Sequence, residues 1–131
     1  MGKKLRRRTI VFDFDGVIHR GYEGYKDGSI YGEIDYKLLE FIGRLMDNGF
    51  YVVISSNRPA KQIVEFLNND NNTDLKFEVY EKDFGDNLYW EKEGIVGVTN
   101  AKAVGTIYID DRGYRYKGLE DLEDNLFINI K

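Results

Sequence analysis

Short apolar runs separated by helix-like segments are the feature that most constrains the fold. Four runs are rich in β-branched and aromatic residues without strict alternation, as expected for strands that are covered on both faces. They are Thr9–Phe12, Phe50–Ile54, Thr106–Ile109 and Leu126–Ile130, with Lys76–Tyr80 as a weaker fifth. The chain is therefore predicted to contain a buried sheet.

Two segments between these runs have the spacing of amphipathic helices. The first spans Asp35–Asn48, where Asp35 is suited to cap the start and Gly49 to end the helix. The second spans Pro59–Asn69, with Pro59 in the first turn. The predicted apolar positions are Leu38, Phe41, Ile42, Leu45 and Met46 in the first helix and Ile63, Phe66 and Leu67 in the second.

Alternating strands and helices predict right-handed crossovers and a parallel sheet. The expected fold is a three-layer α/β sandwich with a central, mainly parallel, Rossmann-like sheet, in one domain spanning residues 1–131. Two regions do not follow the alternation. Gly16–Ile34 is rich in Gly and Tyr, and hairpin turns are predicted around Gly21–Gly24 and Asp27–Gly28. Asp83–Asn100 is predicted to be irregular with a short helical turn.

Composition narrows the class of protein. The formal net charge of −4 over 131 residues argues against wholesale electrostatic binding to nucleic acid. The absence of Cys excludes disulfides, Cys-ligated zinc and thiol catalysis. The basic cluster before the first strand, Lys3, Lys4, Arg6, Arg7 and Arg8, is interpreted as a solvated lead-in, with a contact to a phosphate backbone as the alternative. The apolar run that follows it is too short for a signal peptide, and no stretch approaches the length of a membrane span. A soluble, cytoplasmic protein with no membrane partner is expected.

Polar side chains follow three of the predicted strands. The three strand ends carry Asp13 and Asp15, Ser55 and Ser56, and Asp110 and Asp111. In an open α/β sheet, ligands bind beyond the carboxyl ends of the strands. Several carboxylates this close require a cation between them, and hard oxygen donors suit Mg²⁺. Such a metal supports phosphoryl transfer, in which a carboxylate can serve as the nucleophile.

Each acidic group taken alone is also typical of a turn or a helix cap. The pair Asp110 and Asp111, followed by Arg112 and Gly113, would fit a turn. Their occurrence together, at three strand ends of one predicted parallel sheet, favours a functional site over a set of unrelated turns.

Four segments in order carry the family resemblance: VFDFDGV from Val11, VVISSNRP from Val52, TNAKA from Thr99 and YIDDR from Tyr108. With these segments the chain resembles a small, capless phosphohydrolase of the haloacid dehalogenase superfamily over nearly its whole length. The resemblance implies that Asp13 is the nucleophile that becomes phosphorylated. It also implies that Asp15 is the general acid/base and gives its backbone carbonyl to Mg²⁺.

The second motif of the family is a Ser or Thr that closes the second core strand. By resemblance, Ser56 hydrogen-bonds a phosphoryl oxygen, with Ser55 as the alternative. Asn57 and Arg58 follow directly and are candidate substrate-binding residues. Pairing of Arg58 with a nearby carboxylate is favoured over binding of phosphate.

The last two motifs supply a cation and the acidic pair. Lys102 resembles the family's lysine, although Ala103 stands where small members have Pro. By resemblance, Asp110 ligates Mg²⁺ directly and Asp111 is a ligand or a partner of one. The implied cofactor is Mg²⁺, and the implied activity is hydrolysis of phosphate monoesters.

The motif spacing leaves no room for the inserted cap domain of larger family members. The capless group acts on large substrates or gains a lid from a neighbouring subunit, so a small molecule, a nucleic-acid end and a homo-oligomer all stay open as partners. Three tyrosines of the Gly- and Tyr-rich segment Gly16–Ile34 are interpreted as residues that pack a small flap rather than stack on bases. They are Tyr22, Tyr25 and Tyr31. His19 is assigned no catalytic role, and Trp90 is predicted in the core or at a subunit contact.

Two other functions are compatible with parts of this pattern. A response-regulator receiver domain shares the length, the acidic cluster, a Ser or Thr and a Lys, but its acidic residues occur in a different order along the chain. A degenerate, non-catalytic binding or scaffold member of the same family is the other alternative. It is disfavoured because all five catalytic positions are filled. They are Asp13, Asp15, Ser56, Lys102 and Asp110.

Overall fold

The computed structural model describes residues 9–22, 24, 28–70, 72–80, 90, 92–100, 107–110 and 114–126, with the backbone only at 110, 114, 115, 125 and 126. Twelve elements lie within these ranges. In chain order they are β1 Thr9–Asp13, β2 His19–Arg20, β3 Glu33–Ile34, α1 Tyr36–Asp47, β4 Tyr51–Ser55, α2 Ala60–Asn68, β5 Lys76–Val79, β6 Ile95–Thr99, β7 Ile107–Asp110, β8 Tyr114–Arg115, α3 Leu119–Asp121 and a π-helical turn Leu122–Leu126.

A mainly parallel sheet confirms the α/β class predicted from the sequence. Its strand order is β5-β6-β4-β1-β7-β8, and the pairings among the five longer strands are all parallel. The separate pair β2 and β3 is antiparallel and joins His19 to Ile34 and Arg20 to Glu33. The described part of the flap, which we define as residues 16–34, therefore includes a short antiparallel pair of strands after β1.

Helix α1 follows the capping pattern predicted for it. The Asp35 side chain accepts a hydrogen bond from the backbone N–H of Leu38 at 3.1 Å, so one of the unpaired donors of the first turn is satisfied. Gly49 has a φ of +92°, the left-handed conformation that ends many helices. None of the helices within the described ranges is long and apolar enough to cross a membrane.

The two faces of the sheet carry different clusters. One face packs against the helices in the main core, to which the strands contribute alternate residues such as Phe12, Ile54 and Val98. On the other face, Val11, Val53 and Trp90 form a second cluster that includes no residue of a described helix. The prediction that Trp90 lies in the core is confirmed, since its side chain is 6% exposed.

Three sequence predictions are corrected by the structure. Asp83–Asn100 was expected to be irregular, but Ile95–Thr99 forms β6, a strand between β4 and β5. Phe66 was predicted on the buried side of α2 but is 42% exposed, because the core ends at Ile63 and Leu67. A strand was predicted from Leu126, which instead ends the π-helical turn; residues 127–130 lie outside the described ranges.

The interior glycine of β6 explains how that strand meets the second cluster. A Cβ on Gly97 would lie 2.6 Å from Cδ2 of Trp90, closer than such atoms approach. The Trp90 indole therefore packs flat over the strand, and its Nε1–H donates to the carbonyl of Ile95 at 2.9 Å. Glycine has a low propensity for strands, but the packing of the Trp90 ring requires a residue without a Cβ at this position.

We expect Gly97→Ala to destabilise the protein by about 1–3 kcal/mol, because the added methyl must displace Trp90. Gly43→Ala in α1 is the matched control, since its Cβ would make an ordinary contact with Leu75 Cδ2 at 3.6 Å. Removing a helical glycine is expected to stabilise by about 0.5–1 kcal/mol. Urea unfolding followed by the fluorescence of the single Trp measures both. Equal effects of the same sign would contradict this account of β6.

Candidate functional site

Backbone register brings the candidate residues of neighbouring strands together at one edge of the sheet. Asp13, the last residue of β1, pairs with Ser55, the last residue of β4. On the other side of β1, Phe12 pairs with Ile109, so Asp110 follows at the same level as Asp13. Two acidic positions and one hydroxyl thus lie side by side at the carboxyl ends of three parallel strands, where open α/β sheets bind ligands.

The chain turns tightly after β1 and so keeps Asp15 beside the sheet edge. The carbonyl of Phe14 accepts hydrogen bonds from the backbone N–H groups of Val17, Ile18 and His19 at 3.3, 3.0 and 2.8 Å. The Asp13 carboxylate accepts one from the N–H of Phe14 at 2.9 Å. These local bonds orient both carboxylates at the start of the flap.

Two side chains from different parts of the chain donate to the Asp15 carboxylate. Arg58 Nε lies 3.0 Å from both Oδ1 and Oδ2. His19 Nδ1 lies 2.7 Å from Oδ1. The Arg58 and Asp15 side chains are 5% and 15% exposed, so this ion pair is largely shielded from water and from screening by salt.

The same Arg58 guanidinium also binds the flap. Its Nη1 donates to the carbonyl of Gly28 at 2.6 Å and its Nη2 to that of Ser29 at 3.1 Å. Gln62 on α2 donates to the Gly28 carbonyl as well, at 2.6 Å. All three guanidinium nitrogens are therefore engaged, which agrees with carboxylate pairing and leaves phosphate binding by Arg58 without support from a contact.

His19 is fully buried, and both of its ring nitrogens have partners. The backbone N–H of Gly32 donates to Nε2 at 2.7 Å, so Nε2 is an acceptor and the proton of the neutral ring lies on Nδ1. Tyr31 contacts the imidazole edge-on at 5.3 Å between centroids and stacks on Tyr22 at 6.1 Å. These ring contacts agree with the interpretation of Tyr22 and Tyr31 as flap-packing residues.

The two serines at the end of β4 lie in different surroundings. Ser55 lies in register with Asp13 and is half-buried. Ser56 is buried, and its Oγ accepts a hydrogen bond from the backbone N–H of Arg58 at 3.1 Å. Among the contacts of the described residues its hydroxyl proton has no acceptor, so it can be donated to an oxyanion. Asn57, which lies between Ser56 and Arg58 in the sequence, is exposed. The contact of Ser56 fits the phosphoryl-binding role that the resemblance implies.

Several predicted site residues lie outside the described ranges. They are Lys102, Asp111 and Arg112, together with Tyr25 of the flap. Of Asp110 the structure describes the backbone position only. Within the described part of the chain, no three His, Asp or Glu side chains form a group that could hold a metal ion. The carboxylate of Asp13 and the backbone carbonyl of Asp15 are hard oxygen donors of the kind that Mg²⁺ takes.

A groove of about 800 Å³ lies at the opposite edge of the sheet. Its lining includes Arg44, Phe50, Leu75 and Gly94, near the end of α1 and the starts of β4 and β6. None of the candidate site residues lines it. Its position at the amino ends of the strands is not the edge at which open α/β sheets bind substrates, so the site is assigned to the carboxyl edge instead.

Sequence reasoning missed the role of His19 and the extent of the Arg58 network. His19 follows Asp15 by four residues, and this spacing was the available signal for their contact. Asp15 and Arg58 are 43 positions apart in the sequence, so no local signal indicated their contact.

Searches of protein-family models, of curated proteins and of solved structures found no match to this chain. The account of the site therefore depends on its own residues and their geometry.

Proposed function

We propose that the protein is a Mg²⁺-dependent phosphomonoesterase that acts through an aspartyl-phosphate intermediate. The Asp13 carboxylate attacks phosphorus, the bond from phosphorus to the leaving oxygen breaks, and Asp15 gives that oxygen a proton. Water then attacks the phosphorus of the intermediate and loses a proton to Asp15. The bond between phosphorus and Asp13 breaks, and its electron pair returns to the Asp13 carboxylate. Ser56 donates a hydrogen bond to a phosphoryl oxygen throughout.

The observation that supports this proposal is the pairing of two unlike carboxylates at one strand end. Two donors, Arg58 Nε and His19 Nδ1, hold the Asp15 carboxylate, as suits a group that must be oriented for proton transfer. Asp13 lies at the sheet edge with Asp110 and Ser55 at the same level. Carboxylates in different environments are typical of a site that divides attack and proton transfer between them.

The donor set at the strand ends fits a hard divalent cation. Asp13, the Asp15 carbonyl, Asp110 and Asp111 are the residues that would hold it. When bound, Mg²⁺ neutralises the charge of the phosphoryl group and of the carboxylates that face it. Lys102 is proposed to contribute a further positive charge.

The strand order favours this proposal over a receiver-like signalling domain. In the 2-1-3-4-5 order of receiver and flavodoxin-like domains, the first strand lies between the second and the third. Here β1 lies between β4 and β7, with β6 on the far side of β4. Numbered in chain order, the five longer strands run 3-4-2-1-5 across the sheet. The first strand lies between the second and a later strand, as in the Rossmann order 3-2-1-4-5-6, whereas β6 separates β4 from β5. We propose a Rossmann-like sandwich in which a third layer covers the face carrying Trp90.

The proposed substrates are phosphate monoesters, either small molecules or nucleic-acid ends, handled in the cytoplasm. A homo-oligomer that covers the site from a neighbouring subunit is compatible with this proposal. A non-catalytic family member remains the alternative function, and turnover decides between the two.

Phosphate release by the purified protein, with Mg²⁺ and with a chelator, tests the proposal. The substrates are para-nitrophenyl phosphate, nucleotides, sugar phosphates and 3′-phosphorylated oligonucleotides. We expect release in Mg²⁺ that falls at least about 100-fold on chelation and returns when Mg²⁺ is added back, because the cation offsets several kcal/mol of charge repulsion. Full activity in chelator would overturn the metal assignment. No release from any substrate would favour the non-catalytic alternative.

A further inference from the structure

We propose that His19 and Arg58 are positioning residues that make Oδ2 of Asp15 the atom that exchanges protons, and that they do so while the flap is seated. The inference rests on the proposed function, in which Asp15 transfers protons. It assigns a role to His19 and an atom to the transfer, neither of which follows from the sequence motifs.

The two carboxylate oxygens of Asp15 accept different sets of hydrogen bonds. Oδ1 accepts the Nδ1–H of His19 and shares the single Nε–H of Arg58, which is bifurcated between the two oxygens. Oδ2 accepts only its share of that Arg58 N–H, so it accepts fewer hydrogen bonds than Oδ1. Among the described contacts of Asp15, Oδ2 is therefore the oxygen with more capacity to take a proton from water.

Both positioning residues form hydrogen bonds with backbone groups of the flap, and His19 is itself a flap residue. Arg58 donates to the carbonyls of Gly28 and Ser29, and His19 Nε2 accepts from the N–H of Gly32. The backbone approaches so closely at Gly32 that a Cβ there would lie 1.9 Å from the carbonyl oxygen of Arg20. A displaced flap would remove partners from the two groups that orient Asp15, so flap seating and orientation of the carboxylate are coupled.

The step that depends most on this arrangement is hydrolysis of the aspartyl phosphate. One O–H bond of water breaks and its proton moves to Oδ2 of Asp15, while the water oxygen forms a bond to phosphorus. The bond between phosphorus and Asp13 breaks, and its electron pair restores the Asp13 carboxylate. Both partners of Asp15 donate hydrogen bonds to its carboxylate, and these fix the orientation of the group that takes the proton.

Two substitutions at His19 separate this role from a merely structural one. His19→Asn keeps an N–H near the position of Nδ1 and can still donate to Asp15, but it cannot reach the N–H of Gly32. His19→Gln has a carbonyl near the position of Nε2 and can accept from Gly32, but it loses the donor to Asp15. Arg58→Lys is a further variant that keeps the charge and cannot serve Asp15, Gly28 and Ser29 together.

The measurement is pre-steady-state and steady-state hydrolysis of para-nitrophenyl phosphate in Mg²⁺. We expect His19→Gln to slow dephosphorylation about 10–100-fold, the usual effect of removing a group that orients another. Nitrophenol should then appear in a burst approaching one equivalent, and kcat and KM should fall together so that kcat/KM changes less than about threefold. Arg58→Lys is expected to behave in the same way, and His19→Asn to keep most of the turnover.

A spectroscopic readout that does not need activity accompanies the kinetics. His19 is the only histidine, so the ¹⁵N spectrum of histidine-labelled protein contains a single imidazole. We expect the neutral ring protonated on Nδ1. The ring protonated on Nε2 would overturn the inference whatever the kinetics.

The remaining outcomes separate this inference from the proposed function. An active wild type whose His19→Gln variant shows no burst, or whose two His19 variants lose kcat equally, would overturn the inference alone. A wild type that releases no phosphate and is not phosphorylated on Asp13 would overturn the proposed function, and the positioning role with it. Thermal unfolding of each variant shows whether a loss reflects folding, in which case Arg58→Lys supplies the kinetic comparison.

Discussion

Replacing Asp13 by asparagine is expected to lower phosphate release by about 10⁴-fold or more, because a carboxamide cannot form the acyl phosphate. The substitution is nearly isosteric, and the amide oxygen can still accept the hydrogen bond from the N–H of Phe14 that Asp13 accepts at 2.9 Å. The loss should therefore arise in the chemical step without a change in folding. Steady-state phosphate release and acid-quenched labelling of the protein with ³²P measure it.

Asp47→Asn is the matched control, since it makes the same change at an exposed position at the end of α1. We expect it to keep wild-type turnover and labelling. An Asp13→Asn protein that retained activity within tenfold of the wild type would show that Asp13 is not the nucleophile. Labelling that persisted in Asp13→Asn would place the phosphoryl group on another residue.

Phe41→Ala is expected to cost about 3–5 kcal/mol of unfolding free energy, the largest effect on stability that we predict. Phe41 lies on the buried face of α1 and is 1% exposed in the main core. Its ring also faces the Arg44 guanidinium at 5.1 Å, a contact that alanine cannot make. The cavity left behind adds to the lost burial, because a packed core relaxes only in part.

Glu40→Ala, one position earlier on the exposed side of α1, controls for the change in helix propensity. It should alter stability by no more than about 0.5 kcal/mol. Urea unfolding of both variants gives the comparison. A cost below about 1 kcal/mol for Phe41→Ala would mean that the contacts of α1 with the sheet contribute far less to stability than its burial indicates.

The contacts of the flap bear on the substrate expected for a capless enzyme. The arm is attached to the site through Arg58, Gln62 and His19 rather than through a separate domain. A phosphate group at the strand ends would therefore meet a short flap that is already bonded, through Arg58 and His19, to Asp15, the residue proposed to transfer protons. The comparison of small phosphates with 3′-phosphorylated oligonucleotides reports how much room this cover leaves.

The parts of the fold that depend on local interactions could be predicted from the sequence. Helix α1 was predicted with its N-cap at Asp35 and its end at Gly49, because capping and left-handed glycine involve residues within one turn. Strands β1 and β4 were predicted for a similar reason, since continuous β-branched runs form a strong signal. Together these elements indicated an α/β fold and the strand ends at which Asp13 and Ser55 meet.

Non-local contacts decided the rest. Strand β6 was not predicted because Gly97 weakens the pattern, and its fit with the Trp90 ring exists only in the folded chain. Phe66 has helical spacing but lies beyond the edge of the core, and no periodicity reveals where a sheet ends.

The candidate site divides in the same way. The residue types at the strand ends were apparent from the sequence, because each follows its own strand directly. That Arg58 pairs with Asp15, and that His19 bonds both Asp15 and Gly32, depends on contacts between segments up to 43 residues apart. The sequence by itself thus determined which groups reach the edge of the sheet. Tertiary structure decided which of them donate to Asp15, because side-chain partners are selected by packing in three dimensions.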